Sequence, residues 1–237
     1  MIILFRTLVG LLLVLTIKVG TANDNQPSAE ELEAWFNSDT DLSEQIAQVN
    51  EGQLTFLGKP GKKPVYQAYN HVRLLPTSYR DGWVSLSQCH TRLDEIHLAQ
   101  LVFPEYTLRH LQVTEQKGIE SAFVEGKSVQ LKNVAKDAKL CVTMQIQALT
   151  AQGKGRVMLT NGPFQRRFLD GYYPLNVLLL IDYSGTGLRP VMTSPVAQAG
   201  MKITDDGNRM GIDAHFEGVL RTQVLFQMET DKSRGKK

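Results

Sequence analysis

The stretch "LCVTMQIQA", residues 140–148, decides the fold class. In an extended chain Leu140, Val142, Met144, Ile146 and Ala148 fall on one face, and Cys141, Thr143, Gln145 and Gln147 on the other. That period of two is one a helix cannot present. One apolar and one polar face predict a strand that covers a core on one side only. Downstream and upstream of it, from residue 65 onward, the chain continues as strand after strand. Glu125-Gly126, "AQGKG" (151–155), Asp170-Gly171, "SGTG" (184–187) and Asp206-Gly207-Asn208 read as hairpin turns between them. Strands of roughly five to nine residues, with no long amphipathic helix between them, predict antiparallel sheets in a β-sandwich or open barrel.

A different pattern precedes residue 57. In "SAEELEAWFNSDTDLSEQIAQVN" (28–50), Ser28 and Glu31 form a capping box, and Leu32, Trp35 and Phe36 share a helical face. Leu42, Ile46 and Val49 resume the 3.6 spacing after the turn-like Asp39-Thr40-Asp41, so two short helices are expected. "LGKPGKKPV" (57–65) is a Pro/Gly/Lys connector that neither a helix nor a central strand would tolerate. The expected organisation is therefore a leader at 1–22, a helical N-terminal segment at 23–56, a linker at 57–64, a β-sandwich domain at 65–228 and a basic tail at 229–237.

The leader, "MIILFRTLVGLLLVLTIKVGTA", has one Arg near its start, an apolar run over residues 8–15, and small residues Gly20 and Ala22 before a cleavage point. That is the pattern of a secretory signal peptide. The alternative is an uncleaved single-span anchor, but Arg6 shortens the run below the roughly 20 residues that a bilayer needs. No second apolar run of spanning length follows, so a chain without transmembrane segment is expected after cleavage, in the periplasm. Removing Arg6 and Lys18 leaves 24 Lys and Arg against 24 Asp and Glu, a balance that gives no argument for nucleic acid. The cations of "DKSRGKK" (231–237) suit a solvated terminus, or a weak attraction to an anionic membrane surface.

"SLSQCHTRLDEIH" (85–97) holds a Cys, two His, an Asp and a Glu. If residues 83–90 form a strand, Trp83, Ser85, Ser87 and Cys89 point one way and Val84, Leu86, Gln88 and His90 the other. Cys141 also lies on the less apolar face of its strand. Two cysteines at outer-face positions of an exported protein predict a Cys89–Cys141 disulfide, unlike the inward-facing bridge of an immunoglobulin domain. The competing reading is a metal site drawing on Cys89, His90, Asp94, Glu95, His97 and His110. Cys89 and His90 diverge to opposite faces, however, and no ligand spacing of a known metal motif occurs. No metal and no cofactor is expected.

"NGPFQRRFLDGYYPL" (161–175) is the second concentrated stretch. Arg166, Arg167, Asp170, Tyr172 and Tyr173 around a Gly turn could form a subsite for an anion or a carbohydrate, with guanidinium forks for acidic groups and phenol rings for sugar faces. The structural alternative is a corner in which Asp170 pairs with Arg166 or Arg167 while Phe164, Phe168 and a Tyr fill the core. Hydrolysis by paired carboxylates (Asp94, Glu95, Glu125, Asp170, Asp182, Asp213, Glu217) cannot be placed by spacing. Serine-nucleophile, P-loop and dinucleotide signatures are absent.

"GWVSLSQCHTRLDEI", "AFVEGKSVQL" and "GPFQRRFLDGYYPL" together resemble a group of uncharacterised exported proteobacterial proteins over residues 80–226. The resemblance implies a Gram-negative envelope setting and brings no activity to any residue. The expectation is a non-enzymatic binding or envelope-accessory module, its partner an envelope protein or a small anionic or carbohydrate ligand. The alternative is an envelope hydrolase acting on carbohydrate or peptide.

Overall fold

A computed structural model describes residues 50–58, 65–103 and 106–229, all within one compact unit that begins at Val49. The leader, the helices expected between residues 28 and 49, most of the connector and the tail beyond residue 229 lie outside the described residues.

The elements run β1 (Thr55–Phe56), β2 (Gln67–Leu74), α1 (Ser78–Asp81), β3 (Trp83–Leu93), β4 (Ile96–Val102), β5 (Thr107–Glu125), β6 (Ser128–Gln147) and β7 (Leu149–Ala151). They continue with β8 (Arg156–Phe164), β9 (Arg167–Phe168), β10 (Gly171–Tyr172), β11 (Leu175–Asp182), β12 (Leu188–Ser194), β13 (Met201–Asp205), β14 (Arg209–Glu217) and β15 (Leu220–Met228). One sheet of nine strands follows the path β1-β14-β11-β2-β3-β6-β4, with β13 also on β14 and β5 also on β6. A second sheet runs β12-β15-β8-β7, and β9 and β10 form a small hairpin of their own. The inner rows of the two sheets share one core: Val84 and Leu86 on β3, Val142 and Ile146 on β6, and Leu179 and Ile181 on β11 join Leu159 of β8 and Val224 and Phe226 of β15. The expected β-sandwich is the architecture, and Leu140, Val142, Met144 and Ile146 are the inward row of β6.

Four details differ from the sequence reading. Thr55 and Phe56, within the stretch expected to be helical, form β1 against Phe216 and Glu217 of β14, where Phe56 packs on the core. β2 and β11 pair in parallel, Ala68 beside Val177 and Val72 beside Ile181. Consequently both edges of β11 are occupied, by β2 and β14, and the turn at residues 184–187 leads into the other sheet rather than closing a hairpin. Last, β5 and β6 are 19 and 20 residues long, well beyond the expected length. They stay paired by absorbing register shifts around residues 109–119. His110, Gly118, Asn133 and Asp137 in these two strands have positive φ, which Gly, Asn, Asp and His accept more readily than other residues.

At two of the places where the chain passes between sheets, a glycine shapes the corner. At Ala148, the Gly82 carbonyl accepts the N–H groups of Ala148 and Leu149 at 3.0 and 3.1 Å, which satisfies the backbone where β6 gives way to β7. At Gly218, between β14 and β15, φ is +87° and a Cβ would lie 2.1 Å from the Gln53 carbonyl oxygen, so only glycine fits. Among the described residues no helix is long and apolar enough to cross a membrane.

Cys89 and Cys141 are directly opposed on β3 and β6, their Cα atoms 4.1 Å apart, and they are bonded. The bridge lies on the outer face, in a row with Tyr69 of β2 and Glu115 of β5. Closing a loop of 52 positions stabilises by at most about 4 kcal/mol in the chain-entropy picture. Cys89→Ser with Cys141→Ser is expected to lower the urea midpoint by that scale of free energy with an unchanged far-ultraviolet circular dichroism spectrum. An unchanged midpoint would show that the bridge adds nothing to the β3–β6 ladder.

Candidate functional site

The alternation that builds the core also carries polar side chains into it. On β3 the inward row runs Val84, Leu86, Gln88, His90, and its last two members are buried. Asn70 of β2 stands opposite Gln88 in the register and is 1% exposed. From the other sheet, β8 contributes Asn161 after Val157 and Leu159. These residues, with Tyr66, the end of β4 and residues 162–165, enclose a cavity of about 390 Å³ between the sheets. Its apolar wall includes Ala68, Leu86, Phe103 and Phe164.

The hydrogen bonds in this wall are directional. Asn70 Nδ2 donates to the Ala68 carbonyl at 3.3 Å, which turns Asn70 Oδ1 toward Gln88, and Gln88 Nε2 donates to it. The Tyr66 hydroxyl meets His90 Nδ1. Burial raises the Tyr66 pKa well above the ordinary phenol value, against a lowering by Arg166, so the phenol keeps its proton. Burial also drives His90 down to about 4, leaving a neutral ring. After these bonds Gln88 Oε1, His90 Nε2 and Asn161 Nδ2 remain buried without a protein partner. Thr222, the cross-strand neighbour of Asn161, is a further buried group whose hydroxyl has none.

The rim is the segment that the sequence singled out. Arg166 does not pair with Asp170. Its guanidinium grips Asp94, at the β3–β4 turn, through Nη2 at 2.7 Å to both carboxylate oxygens and Nε at 3.1 Å, and Nη1 donates to the Pro174 carbonyl at 3.3 Å. The Tyr66, Phe168 and Tyr173 rings surround it at 5.4–5.9 Å. Asp170 instead accepts from the Tyr173 hydroxyl at 2.5 Å, and that bond raises the Tyr173 pKa. Arg167 is exposed and lines the cavity mouth over the Tyr172 ring, with no carboxylate in ion-pair range among the described residues. Of the five expected site residues only Arg167 lines the cavity. Arg166 and Tyr173 pin the β9–β10 hairpin, Asp170 faces solvent, and Tyr172 packs against Gly52.

The other expected cluster disperses. Cys89 is bonded to Cys141, His90 turns inward, Asp94 holds Arg166, and His97 meets Asn133 at 3.2 Å. Among the described residues no group of three or more His, Cys, Asp or Glu is placed to hold a metal ion. The sequence names His90 only as a candidate metal ligand and Asn161 only as the start of the 161–175 stretch, and it does not bring them together with Asn70 and Gln88. The available signal was polar side chains at inward positions of otherwise apolar rows.

No protein-family model and no curated protein matches the chain. Among solved structures, those of an M1 zinc metallopeptidase from Deinococcus radiodurans align at 8% identity over 75% of this chain and 43% of theirs. The TM-scores are 0.34 for a mutant bound to a Tyr-Ser-Ala substrate and 0.32 for the peptidase itself. The chain thus spans less than half of those proteins, and a likeness at that level carries no argument.

Arg166→Ala removes a bidentate, partly buried pair and is expected to lower the stability by about 1–3 kcal/mol. Arg167→Ala is expected to stay within about 0.5 kcal/mol of the parent. Equal melting temperatures for the two variants would refute the division of labour between these arginines.

A second prediction concerns acid. The folded-state pKa of His90 lies below the unfolded value, so between pH 6.5 and about 4 the unfolded chain takes up a proton that the folded one refuses. Stability therefore falls as pH drops through that window, by about 3 kcal/mol at its acid end from this group. In urea titrations across the window, His90→Gln should flatten the slope, and an unaltered slope would exclude His90 as its source.

Proposed function

We propose that the chain is a non-enzymatic binding module of the bacterial envelope, taking a small, uncharged, partly apolar ligand between its two sheets. One observation carries the reading: Gln88, His90 and Asn161, each with a buried polar atom that lacks a protein partner, all line one cavity. An unsatisfied buried group costs about 1–3 kcal/mol, so three of them at one place favour a bound molecule that satisfies them. The cavity's size lies in the range of small-molecule sites, which are mostly apolar with a few directed polar groups. Its interior is neutral, since His90 is uncharged and, among the described residues, no Asp, Glu or Lys lines it. Among the described residues, Arg167 is the one Arg or Lys that lines it. The envelope setting draws on the signal-like residues 1–22, on the resemblance to exported proteins and on the disulfide.

The hydrolase reading draws no support from this cavity. Asp94 is engaged by Arg166 and Asp170 by Tyr173, and neither faces a second carboxylate across it.

Native mass spectrometry of the protein released from its host's envelope tests the proposal, with Ala68→Leu as control because its side chain enters the cavity without adding a polar group. A small noncovalent adduct on the parent and none on the folded variant is expected. Parent and variant giving the same spectrum would overturn the reading.

A further inference from the structure

We infer that the ligand is a short segment of extended peptide that adds a strand to the open edge of β4, uncharged where it lies against that edge and carrying a carboxylate beside it. The inference rests on the binding reading above and names the class of molecule that the cavity takes.

The strand register leaves one place in the large sheet unfilled. β5 follows one edge of β6 from Ser128 to Gln147, so β3 and β4 share the other edge, β3 beside Ala138–Gln147 and β4 beside Ser128–Val134. β2 covers the far side of β3, and no described strand covers the far side of β4. The direction of the backbone there follows from the ladder. The Phe103 N–H donates to the Lys127 carbonyl at 2.9 Å, so Phe103 and, by alternation, Leu101 and Ala99 turn their N–H and C=O groups toward β6. Gln100 and Val102 turn theirs to the open edge, and both residues are exposed. The edge lacks the usual protection: β4 has no charged residue, no Pro and no register shift against β6, whereas β5 carries charges and is broken by three shifts.

This edge opens on the cavity. Side chains of a strand alternate between faces, yet Gln100, Leu101, Val102 and Phe103 all line the cavity, as consecutive residues do where a cavity meets a strand at its edge rather than at one face. Residues 161–165 form the opposite wall, where the Tyr106 hydroxyl already accepts the Gly162 N–H at 2.8 Å and Pro163 has no N–H to offer. Backbone pairing is therefore one-sided, on β4. The 390 Å³ between these walls admits a few residues of extended chain and not the edge of a second folded sheet, which selects a peptide over another copy of this chain. Charge completes the match: among the described residues the lining has no Asp, Glu or Lys, and Arg167 has no carboxylate in ion-pair range.

The test titrates the full folded chain with acetyl-Glu-Val-Ser-Leu-Glu-amide and two N-methylated forms of it, one methylated at Val and Leu, the other at Ser and the last Glu. Benzyl alcohol serves as a small probe of the cavity alone. A strand paired on one edge uses every second amide, so one N-methylated form is expected to bind like the parent peptide and the other at least about tenfold more weakly. Hydrogen exchange at the Gln100 and Val102 amides should slow when the peptide binds. Val102→Pro, which removes an edge N–H and no bond to β6, should weaken the peptide to the same extent and leave benzyl alcohol unaffected. Replacing both Glu by Gln should weaken binding about threefold, a gap that closes in Arg167→Ala. The two N-methylated forms binding equally, or benzyl alcohol binding where the peptide does not, would overturn the added strand and leave the cavity as a binding site. So would a dimer in solution, or slow exchange at Gln100 and Val102 in the chain alone, since a second copy or another segment of this chain would then hold the edge. No binding of any probe would overturn both readings.

Discussion

The structure depends on the double pairing of β2. This eight-residue strand runs antiparallel to β3 on one edge and parallel to β11 on the other, and so makes one sheet out of two groups of strands. Without it the β3–β6–β5 group and the β11–β14–β13 group would each expose an unpaired edge. The parallel contact joins segments about a hundred residues apart, so its backbone bonds form only when the whole chain has come together. The inward row of β2 also changes character along its length. Val72 and Leu74 belong to the apolar core, whereas Asn70 begins the polar group that borders the cavity.

That polar group is what distinguishes this sandwich from one built for stability alone. A domain is stable by only about 5–15 kcal/mol, and a buried polar group left without any partner costs about 1–3 kcal/mol of that. Apolar residues at positions 88, 90 and 161 would extend rows that already read Val84, Leu86 and Val157, Leu159. The interior is also tied to the rim. Asp94 holds Arg166, the Tyr66 ring lies beside that guanidinium, and the Tyr66 hydroxyl holds His90. The ion pair outside and the orientation of the imidazole inside thus share one tyrosine.

The fold class and the inward and outward faces of strands were legible in residues such as Leu140 to Ala148 because a period of two is local: each side chain's face follows from its neighbours along one strand. The same logic put Cys89 and Cys141 on outer faces, where they are bonded. It also listed Gln88 and His90 on the inward side of β3, without marking them as a site. The corner at residues 161–175 was picked for its charges and rings, which turned out to hold a hairpin in place. Arg166 found Asp94 rather than Asp170, because the β3–β4 turn, distant in sequence, lies within reach of its guanidinium.

By itself, then, the sequence determined a mainly β chain, two cysteines on polar faces and several of the turns between strands, since all of these rest on interactions between residues close along the chain. Only the tertiary structure decided that β2 and β11 run parallel, that the turn at 184–187 changes sheets, and that Gln88, His90 and Asn161 border one cavity. Those features depend on which strand edges are already filled and on which rows face each other across the sandwich, and neither is written into any single stretch of residues.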